Sequence, residues 1–323
     1  MQYKIISLIP TSEEEKNNFK KIAEAYGSTV DFAELSEVSA EKLSEYEIIL
    51  GSPSVDVLKK AKKLKYLHLA MAGSNAYVKK GVLNEGVLLT NSTGAFGHAI
   101  SEHMMGMLFE IYKKLHLYRD NQNNCSWQDE GSVRSIYGAK CLMVGMGDIG
   151  SAFARSAAAL GIKVSGMRRT TTDKPDYVEN MYPFGSLNEI IGDFDIVALA
   201  LPETPDTIKI INGNNIPLMK DGAVILNVGR GSAIDTDALL EALESGKLSG
   251  AGIDVTDPEP LPSEHPLWKS KNAVITPHVS GYFHLQETYD NIIKLAYTNL
   301  EAFLSGKEPE NIVDFETGYR KVK

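Results

Sequence analysis

Short apolar runs alternate with stretches of helical periodicity along nearly the whole chain. In the first part the apolar runs cover residues 5–9, 48–50, 66–70 and 87–89, and helical patterns cover 13–26 and 54–60. A short apolar run bounded by helices is typical of a strand that is buried on both faces of a parallel sheet. The pattern therefore predicts β/α units joined by right-handed crossovers.

The same alternation restarts at Lys140. Apolar runs that we interpret as strands cover 141–144, 162–165, 196–201, 223–228, 250–254 and 273–276, and helices are predicted over 99–118, 151–160, 235–245 and 286–304. The polar segment 121–135 is predicted to be a loop or linker. The last helix could pack on either half, because periodicity alone does not assign it.

Composition limits the classes of protein and of partner. A length of 323 residues suggests about two domains of roughly 150 residues each. A net charge of -9 argues against a nucleic-acid or anionic-membrane partner, since both require a basic surface. No apolar run approaches the roughly 18 residues of a membrane span, and the N-terminal run is too short for a signal peptide. We therefore expect a cytoplasmic protein.

The same composition argues against metal chemistry. The only cysteines are Cys125 and Cys141, so neither a disulfide framework nor a cysteine-rich metal site is expected. Cys141 is interpreted as a buried small apolar residue rather than a redox thiol. His98, His103 and His116 lack a carboxylate cluster at ligand spacing. No metal site is predicted.

A glycine-rich loop follows the first strand of the second half. The sequence Gly145-Met146-Gly147-Asp148-Ile149-Gly150 precedes an alanine-rich helix. In a dinucleotide-binding loop, Gly145 would allow the tight turn, Gly147 would let a pyrophosphate approach the backbone, and Gly150 would permit close packing of helix and strand. The helix N-terminus would offer free N–H groups to the phosphates. The loop predicts dinucleotide binding, and the alternative is a purely structural turn.

The end of the next strand indicates which dinucleotide is preferred. About 20 residues after the first glycine, an NAD-binding protein carries an acidic residue for the ribose 2′-hydroxyl. This chain has Arg168-Arg169-Thr170 there, and two guanidinium groups and a hydroxyl suit a 2′-phosphate. We predict that NADP(H) is preferred and that NAD(H) is possible. The alternative is a solvated basic turn, with Asp173 close by.

Three ionisable residues follow later strands of the same half. Arg230 lies between two glycines and could bind a carboxylate or polarise a carbonyl. His278 follows Pro277 and could gain or lose a proton near neutral pH. Glu259, in a proline-rich loop, could orient an imidazole and stabilise its protonated form. The alternatives are a surface arginine, a structural histidine and an ordinary loop acid.

Together these segments resemble the D-isomer-specific 2-hydroxyacid dehydrogenase family. The segments that carry the resemblance are 144–150, 199–207, 218–231, 238–247, 252–262 and 275–281. The resemblance implies that Arg230, Glu259 and His278 are the catalytic residues. The Arg-Arg-Thr run is similar to the glyoxylate/hydroxypyruvate reductase branch, which prefers NADPH. Thr256 departs from the family, because an aromatic residue is common at that position.

The resemblance also implies the organisation of the chain. It implies two Rossmann-like or flavodoxin-like domains with parallel sheets, a discontinuous substrate domain of 1–100 plus 288–323 around a dinucleotide-binding domain of 101–287, an active site in the interdomain cleft, and a homodimer. Trp127 resembles a tryptophan that borders the substrate pocket across the dimer, and an interface anchor is the alternative.

The implied reaction is hydride transfer between a nicotinamide and C2 of a D-2-hydroxy acid. Backbone N–H groups of Ala72 and Gly73, together with Arg230 and His278, would bind the substrate. The implied cofactor contacts, besides Arg168, Arg169 and Thr170, are Gly145, Gly147, Asp148, Ile149, Leu201, Pro202, Thr207, Val228, Gly229, Arg230, Asp254, His278, Ser280 and Gly281. Asp254 would lie near the nicotinamide carboxamide.

Other members of the same fold remain as alternatives. A dinucleotide-sensing corepressor would bind the cofactor with little turnover. A formate dehydrogenase would lack the glutamate of the Glu259–His278 pair, and a phosphoglycerate dehydrogenase would prefer NAD. The sequence names neither the 2-oxo acid nor the direction of the reaction.

Overall fold

The computed structural model describes residues 2–169 and 173–321. The chain forms two compact units, Met1–Ala95 with Phe283–Lys323, and Phe96–Tyr282. Each unit contains a parallel sheet with its own buried apolar cluster. The predicted α/β fold with parallel sheets is confirmed. The substrate and dinucleotide roles assigned to 1–100 plus 288–323 and to 101–287 stay predictions.

The strands and helices are numbered along the chain. The strands are β1 (Lys4–Ser7), β2 (Thr29–Phe32), β3 (Ile48–Leu50), β4 (Tyr66–His68), β5 (Leu88–Thr90), β6 (Lys140–Val144), β7 (Lys163–Arg168), β8 (Asn180–Pro183), β9 (Ile196–Leu199), β10 (Ala223–Asn227), β11 (Leu248–Ile253) and β12 (Ala273–Ile275). The α-helices are α1 (Glu13–Ala25), α2 (Ala40–Leu43), α3 (Val55–Leu58), α4 (Gly97–Tyr112), α5 (Leu115–Asn123), α6 (Asp148–Ala159), α7 (Leu187–Ile190), α8 (Thr236–Glu244) and α9 (Gln286–Leu304).

The first unit is built on a five-stranded sheet in the order β2-β1-β3-β4-β5, with every pair parallel. Helix α1 begins at a capping box, in which Ser12 Oγ accepts from the Glu15 N–H and Glu15 Oε2 accepts from the Ser12 N–H. Helix α9 packs in this unit, since the Tyr297 ring lies 4.4 Å from that of Phe19 on α1.

The second unit is built on a seven-stranded sheet in the order β12-β11-β10-β9-β6-β7-β8, again parallel throughout. One edge strand of each sheet, β2 in the first and β8 in the second, was not predicted, because both are largely exposed and carry no apolar run. Burial on one face or none leaves no continuous apolar signal for a strand.

The single helix predicted over 99–118 is wrong. The helix is interrupted between α4 and α5 at Lys114, which has a left-handed φ of 56°. The ammonium groups of Lys113 and Lys114 donate to the carbonyls of Arg134 and Glu130. Because these contacts come from a distant segment, helical periodicity did not show the break. Helix α5 also takes up the first residues of the predicted loop 121–135.

Candidate active site

The glycine loop connects β6 to α6. At Gly145 φ is 101°, and a Cβ there would lie 2.7 Å from the Ala200 carbonyl oxygen. A Cβ on Gly150 would overlap the Gly145 carbonyl oxygen. At Gly147, which caps the N-terminus of α6, a Cβ would meet no protein atom within 4 Å. Packing therefore requires two of the glycines, while the third keeps space clear at the helix N-terminus.

That space lies at a helix N-terminus, where an anion such as a phosphate is favoured. The backbone N–H groups of the first helical turn have no partner within their own helix, and the helix dipole favours an anion there. Asp148 and Ile149 form the first turn of α6. Packing does not require a glycine at position 147, and the contact of these N–H groups with a cofactor phosphate stays a prediction.

Arg168 ends β7 beside the glycine loop. Its Nε donates to the Met146 carbonyl at 3.1 Å, and Nη2 donates to the same oxygen. These bonds use two of the five N–H donors of the guanidinium group and hold it next to the loop. Arg169 is exposed. Thr170, the third residue of the predicted 2′-phosphate site, lies outside the described residues.

Five neighbouring strands place the remaining candidates at one edge of the second sheet. The strands β12, β11, β10, β9 and β6 are adjacent and parallel, so their carboxyl ends meet at the same edge. The loops that follow them carry His278, Glu259, Arg230, Leu201 and the glycine loop, in that order. The second unit therefore brings these predicted residues to a common edge.

The two glycines around Arg230 are required by close approach of other backbone. A Cβ on Gly229 would lie 2.5 Å from the backbone nitrogen and oxygen of Leu201. A Cβ on Gly231 would overlap the Thr256 carbonyl. The Arg230 loop is thus clamped between the loops that follow β9 and β11, and Arg230 Nη1 donates to the Gly229 carbonyl at 2.7 Å.

Asn227 is a positioning residue that the sequence analysis did not identify. Its Oδ1 accepts from the Gly229 N–H at 3.0 Å, and its Nδ2 donates to the Arg230 carbonyl at 2.9 Å. Both bonds close the turn that presents Arg230. The signal available in the sequence was a single polar residue, buried in the structure, at the end of an otherwise apolar strand.

Glu259 and His278 form a hydrogen-bonded pair. Glu259 Oε1 lies 2.6 Å from His278 Nδ1, and both side chains are about half exposed. An ionised carboxylate only accepts hydrogen bonds, so Nδ1 carries the proton. The other ring nitrogen, Nε2, is then the atom that can exchange a proton with a ligand.

His278 has a left-handed backbone with a φ of 54°. For a non-glycine residue this conformation costs of the order of 1–3 kcal/mol and persists only where the surroundings impose it. The His278 N–H donates to the carbonyl of Asp254 at 2.8 Å and to that of Thr276 at 3.1 Å. These bonds hold the backbone at the proposed catalytic residue.

Thr207 and Pro202, two other predicted cofactor residues, are joined by a hydrogen bond that closes the loop after β9. The Thr207 hydroxyl donates to the Pro202 carbonyl at 2.6 Å and accepts from the Thr204 N–H at 2.8 Å. Leu201, Val228 and Ser280 are buried. A Cβ on Gly281 would lie 3.2 Å from Ile100 Cδ1 on α4. Their predicted contacts with a cofactor stay predictions.

In the first unit, Ala72 and Gly73 lie in a loop held by the segment after β5. Asn91 Nδ2 donates to the Ala72 carbonyl at 2.7 Å, and the Ser92 N–H donates to the Met71 carbonyl at 3.1 Å. These bonds fix the carbonyl side of the loop. Binding of a substrate carboxylate by its N–H groups stays a prediction.

Comparison with known proteins places the chain in a family. Residues 105–280 match the sequence model described as the D-isomer specific 2-hydroxyacid dehydrogenase, NAD binding domain. The match covers more than half of the chain. The chain belongs to the D-isomer specific 2-hydroxyacid dehydrogenase family. It is therefore an oxidoreductase that uses a nicotinamide dinucleotide.

Individual members of this dehydrogenase family show how far the likeness extends. The chain is 29% identical to the hydroxypyruvate reductase of Blautia hydrogenotrophica, over 80% of this chain and 81% of that one. A family member from Aeromonas salmonicida has a TM-score of 0.84 and 28% identity, covering 98% and 100% of the two chains. An NADPH-dependent glyoxylate/hydroxypyruvate reductase from Sinorhizobium meliloti, in complex with NADP and sulfate, has a TM-score of 0.80 and 25% identity, covering 98% and 99%.

Three further residues of this dehydrogenase were singled out from the sequence: Cys141, Thr256 and Trp127. Burial raises the pKa of the Cys141 thiol, so this cysteine on β6 stays protonated. Thr256 stands where an aromatic residue is common in the family, and its hydroxyl donates to the Pro258 carbonyl at 2.9 Å. Trp127 is fully exposed in this chain.

Within 2–169 and 173–321, no group of three or more His, Cys, Asp or Glu side chains could hold a metal ion. Over the same residues, every helix is too short or too polar to cross a membrane.

Proposed function

We propose that this dehydrogenase is an NADPH-preferring reductase of small 2-oxo acids, such as glyoxylate or hydroxypyruvate. The product is the 2-hydroxy acid, in the D configuration wherever C2 is a stereocentre. The observation that carries the proposal is the hydrogen bond between Glu259 and His278, which lies at the same sheet edge as Arg230 and the glycine loop. The names of the Blautia and Sinorhizobium relatives support the choice of substrate.

In this proposal His278 is the proton donor. A nicotinamide dinucleotide, when bound, would supply the hydride to C2 of the oxo acid, and negative charge would then develop on the carbonyl oxygen. His278, protonated on both ring nitrogens, transfers the Nε2 proton to that oxygen. Glu259 accepts the hydrogen bond from Nδ1 throughout and stabilises the charged imidazole. In the reverse direction neutral His278 takes the proton back.

Arg230 is proposed to bind the oxo acid. A guanidinium group offers two parallel N–H donors to a carboxylate, and it stabilises negative charge that develops on a neighbouring oxygen. The clamped backbone on both sides of Arg230 supports this role, because a fixed donor loses little of its effect to reorganisation.

The preference for NADPH is proposed for Arg168 and Arg169. Arg168 is held at the glycine loop by two bonds to the Met146 carbonyl, and β7 ends there without an acidic side chain. A guanidinium group suits a doubly charged phosphate, whereas a ribose hydroxyl pair is bound by a carboxylate.

The assembly and location are proposals as well. We infer a homodimer, which the family resemblance implies and which the exposed Trp127 and Tyr137 support. Light scattering of the purified protein measures its mass directly. The free cysteines Cys125 and Cys141 support a reducing compartment such as the cytoplasm.

The function is tested by following NADPH and NADH oxidation with glyoxylate, hydroxypyruvate, pyruvate and phenylpyruvate. We expect turnover with NADPH and a loss of roughly 10²–10⁴-fold in kcat for His278→Ala, since that is the usual contribution of general acid catalysis. His98→Ala is the matched control, because that histidine is exposed on α4 and pairs with Glu102.

Two results would contradict the proposal. Tight NADPH binding without turnover of any 2-oxo acid would favour a sensing role. Nearly full turnover by His278→Ala would exclude His278 as the proton donor.

A further inference from the structure

Helix α4 packs against β11 along a matched series of residues. A Cβ on Gly250 would overlap Ile111, and a Cβ on Gly252 would lie 3.0 Å from Met107 Cβ. Four residues of helix rise about 6 Å, and two residues of strand rise about 6.6 Å. One step further along both elements, His103 therefore comes to lie beside Asp254, with Nε2 at 3.8 Å from Oδ1.

His103 also belongs to a directed chain of hydrogen bonds. The Thr276 hydroxyl donates to Asp254 Oδ1 at 2.5 Å, because a carboxylate only accepts. His103 Nε2 lies 3.0 Å from the same hydroxyl. The hydroxyl has only one proton, which Asp254 receives, so His103 Nε2 must be the donor in its bond to Thr276. Hydrogen bonds are therefore donated by His103 to Thr276 and by Thr276 to Asp254.

Asp254 in turn holds the loop that carries His278. Besides Thr276, its carboxylate accepts from the N–H groups of Val279 and Ser280 and from the Ser280 hydroxyl. Its carbonyl accepts from the His278 N–H. The side chain is fully buried. Bonds on both sides of His278 thus come from one residue, and they surround the position with left-handed φ.

The four hydrogen bonds accepted by the Asp254 carboxylate match the usual acceptor capacity of such a group, about four lone-pair sites. The nicotinamide carboxamide contact predicted for Asp254 would need a further acceptor or the exchange of one of these bonds. The geometry favours a role for Asp254 in holding the His278 loop.

We propose that His103 is a positioning residue for His278, acting through Thr276 and Asp254. The inference rests on the proposed function, in which His278 donates the proton. His103 fixes the direction of the Thr276 hydroxyl, the hydroxyl fixes Asp254, and Asp254 holds His278 in its strained conformation. Without the first bond, the Thr276 hydroxyl can turn and the loop gains freedom.

The test compares His103→Leu with His103→Gln. Glutamine places an amide N–H the same number of bonds from Cβ as Nε2, so it can restore the donor, whereas leucine cannot. A misplacement of a reacting group by about 1 Å can cost on the order of 10²-fold. For His103→Leu we expect kcat to fall about tenfold, with an unchanged KM for NADPH and a larger solvent deuterium isotope effect, as proton transfer becomes more limiting.

Rescue and controls distinguish positioning from folding. His103→Gln should recover most of kcat and the wild-type isotope effect, and Thr276→Val should resemble His103→Leu. Asp254→Asn should cause a greater loss than either. His98→Gln, on the exposed part of α4, should behave as wild type. Melting temperatures show whether each variant is folded.

A second readout does not depend on turnover. The protein has seven histidines, and NMR of protein with isotope-labelled histidine resolves the imidazole of His278, assigned by its absence in His278→Ala. His103→Leu should shift or broaden this signal, and His103→Gln should restore it.

Several outcomes would overturn the inference without touching the proposed function. An unchanged kcat and unchanged His278 signal in folded His103→Leu would do so, and so would His103→Gln failing as His103→Leu does. If the wild type shows no turnover, or if His278→Ala keeps it, the proposed function fails instead, and the NMR comparison still decides whether His103 positions the loop.

Discussion

Alanine at Gly147 and at Gly150 should separate ligand binding from folding within one loop. A Cβ on Gly147 meets no protein atom within 4 Å, and its φ of -83° and ψ of -155° are extended backbone. A Cβ on Gly150 overlaps the Gly145 carbonyl. The first substitution fits the fold and fills the proposed phosphate space, whereas the second cannot be made without moving backbone.

The expected magnitudes follow from this geometry. At Gly147, alanine is a poorer N-cap than glycine, but it restricts the unfolded chain by about 0.4–1 kcal/mol. These effects oppose each other, so the free energy of unfolding without ligand should change by less than about 1 kcal/mol. At Gly150, overpacking against a carbonyl should cost about 3 kcal/mol or more.

The stabilisation by NADPH, in contrast, should decrease in Gly147→Ala, the variant whose fold is little affected. At a concentration 100 times Kd, NADPH stabilises a folded protein by about 2.7 kcal/mol. A tenfold weaker Kd in Gly147→Ala reduces this to about 1.4 kcal/mol. Urea unfolding with and without NADPH measures both quantities on the same samples.

Full stabilisation of Gly147→Ala by NADPH would contradict the proposed phosphate position. In that case the space in front of α6 would not be where the phosphates bind. Equal stability of Gly150→Ala and wild type would show that the loop tolerates a shift that its packing does not suggest.

Three further substitutions probe the fold and the cofactor. Gly231→Ala should lower the free energy of unfolding by about 3 kcal/mol or more and reduce kcat, because its Cβ overlaps the Thr256 carbonyl as closely as a Cβ on Gly150 overlaps that of Gly145. Thermal melts should show that Gly213→Ala, whose Cβ would have its nearest contact at 3.9 Å, is unaffected. Burial lowers the pKa of His68 to about 3, so between this value and the unfolded-state pKa of about 6.5 only the unfolded chain takes up the proton. As the pH falls below about 6.5, the free energy of unfolding should therefore decrease by about 1.4 kcal/mol per pH unit, or by about 2 kcal/mol at pH 5. Urea midpoints of His68→Gln that depend on pH as strongly as those of the wild type would contradict this. Arg168→Asp should raise the KM for NADPH far more than that for NADH, and a parallel rise in both would exclude a 2′-phosphate contact.

Much of the fold could be predicted because burial leaves a local signal. Central strands such as β9 and β10 are buried on both faces and therefore appear as unbroken apolar runs. The edge strands β2 and β8 lack this signal. The break at Lys114 was missed for a related reason, since the contacts that hold it come from residues far along the chain.

Family motifs in the sequence singled out Arg230, Glu259 and His278 as candidate catalytic residues, but they did not show the contacts that hold these residues. Asn227 and His103 act through bonds to the backbone of other loops or to another side chain. No periodicity or spacing records such a bond, because its two partners lie on different elements. The same holds for Gly231, whose need for a small residue arises from Thr256.

The sequence by itself determined the β/α alternation, the glycine loop and the types of ionisable group available, since each depends on neighbouring residues in the chain. Only the tertiary structure decided which of these groups meet. Glu259 and His278 are 19 residues apart, and they pair because β11 and β12 are adjacent and parallel. Strand order depends on the packing of the whole unit, and no local pattern encodes it.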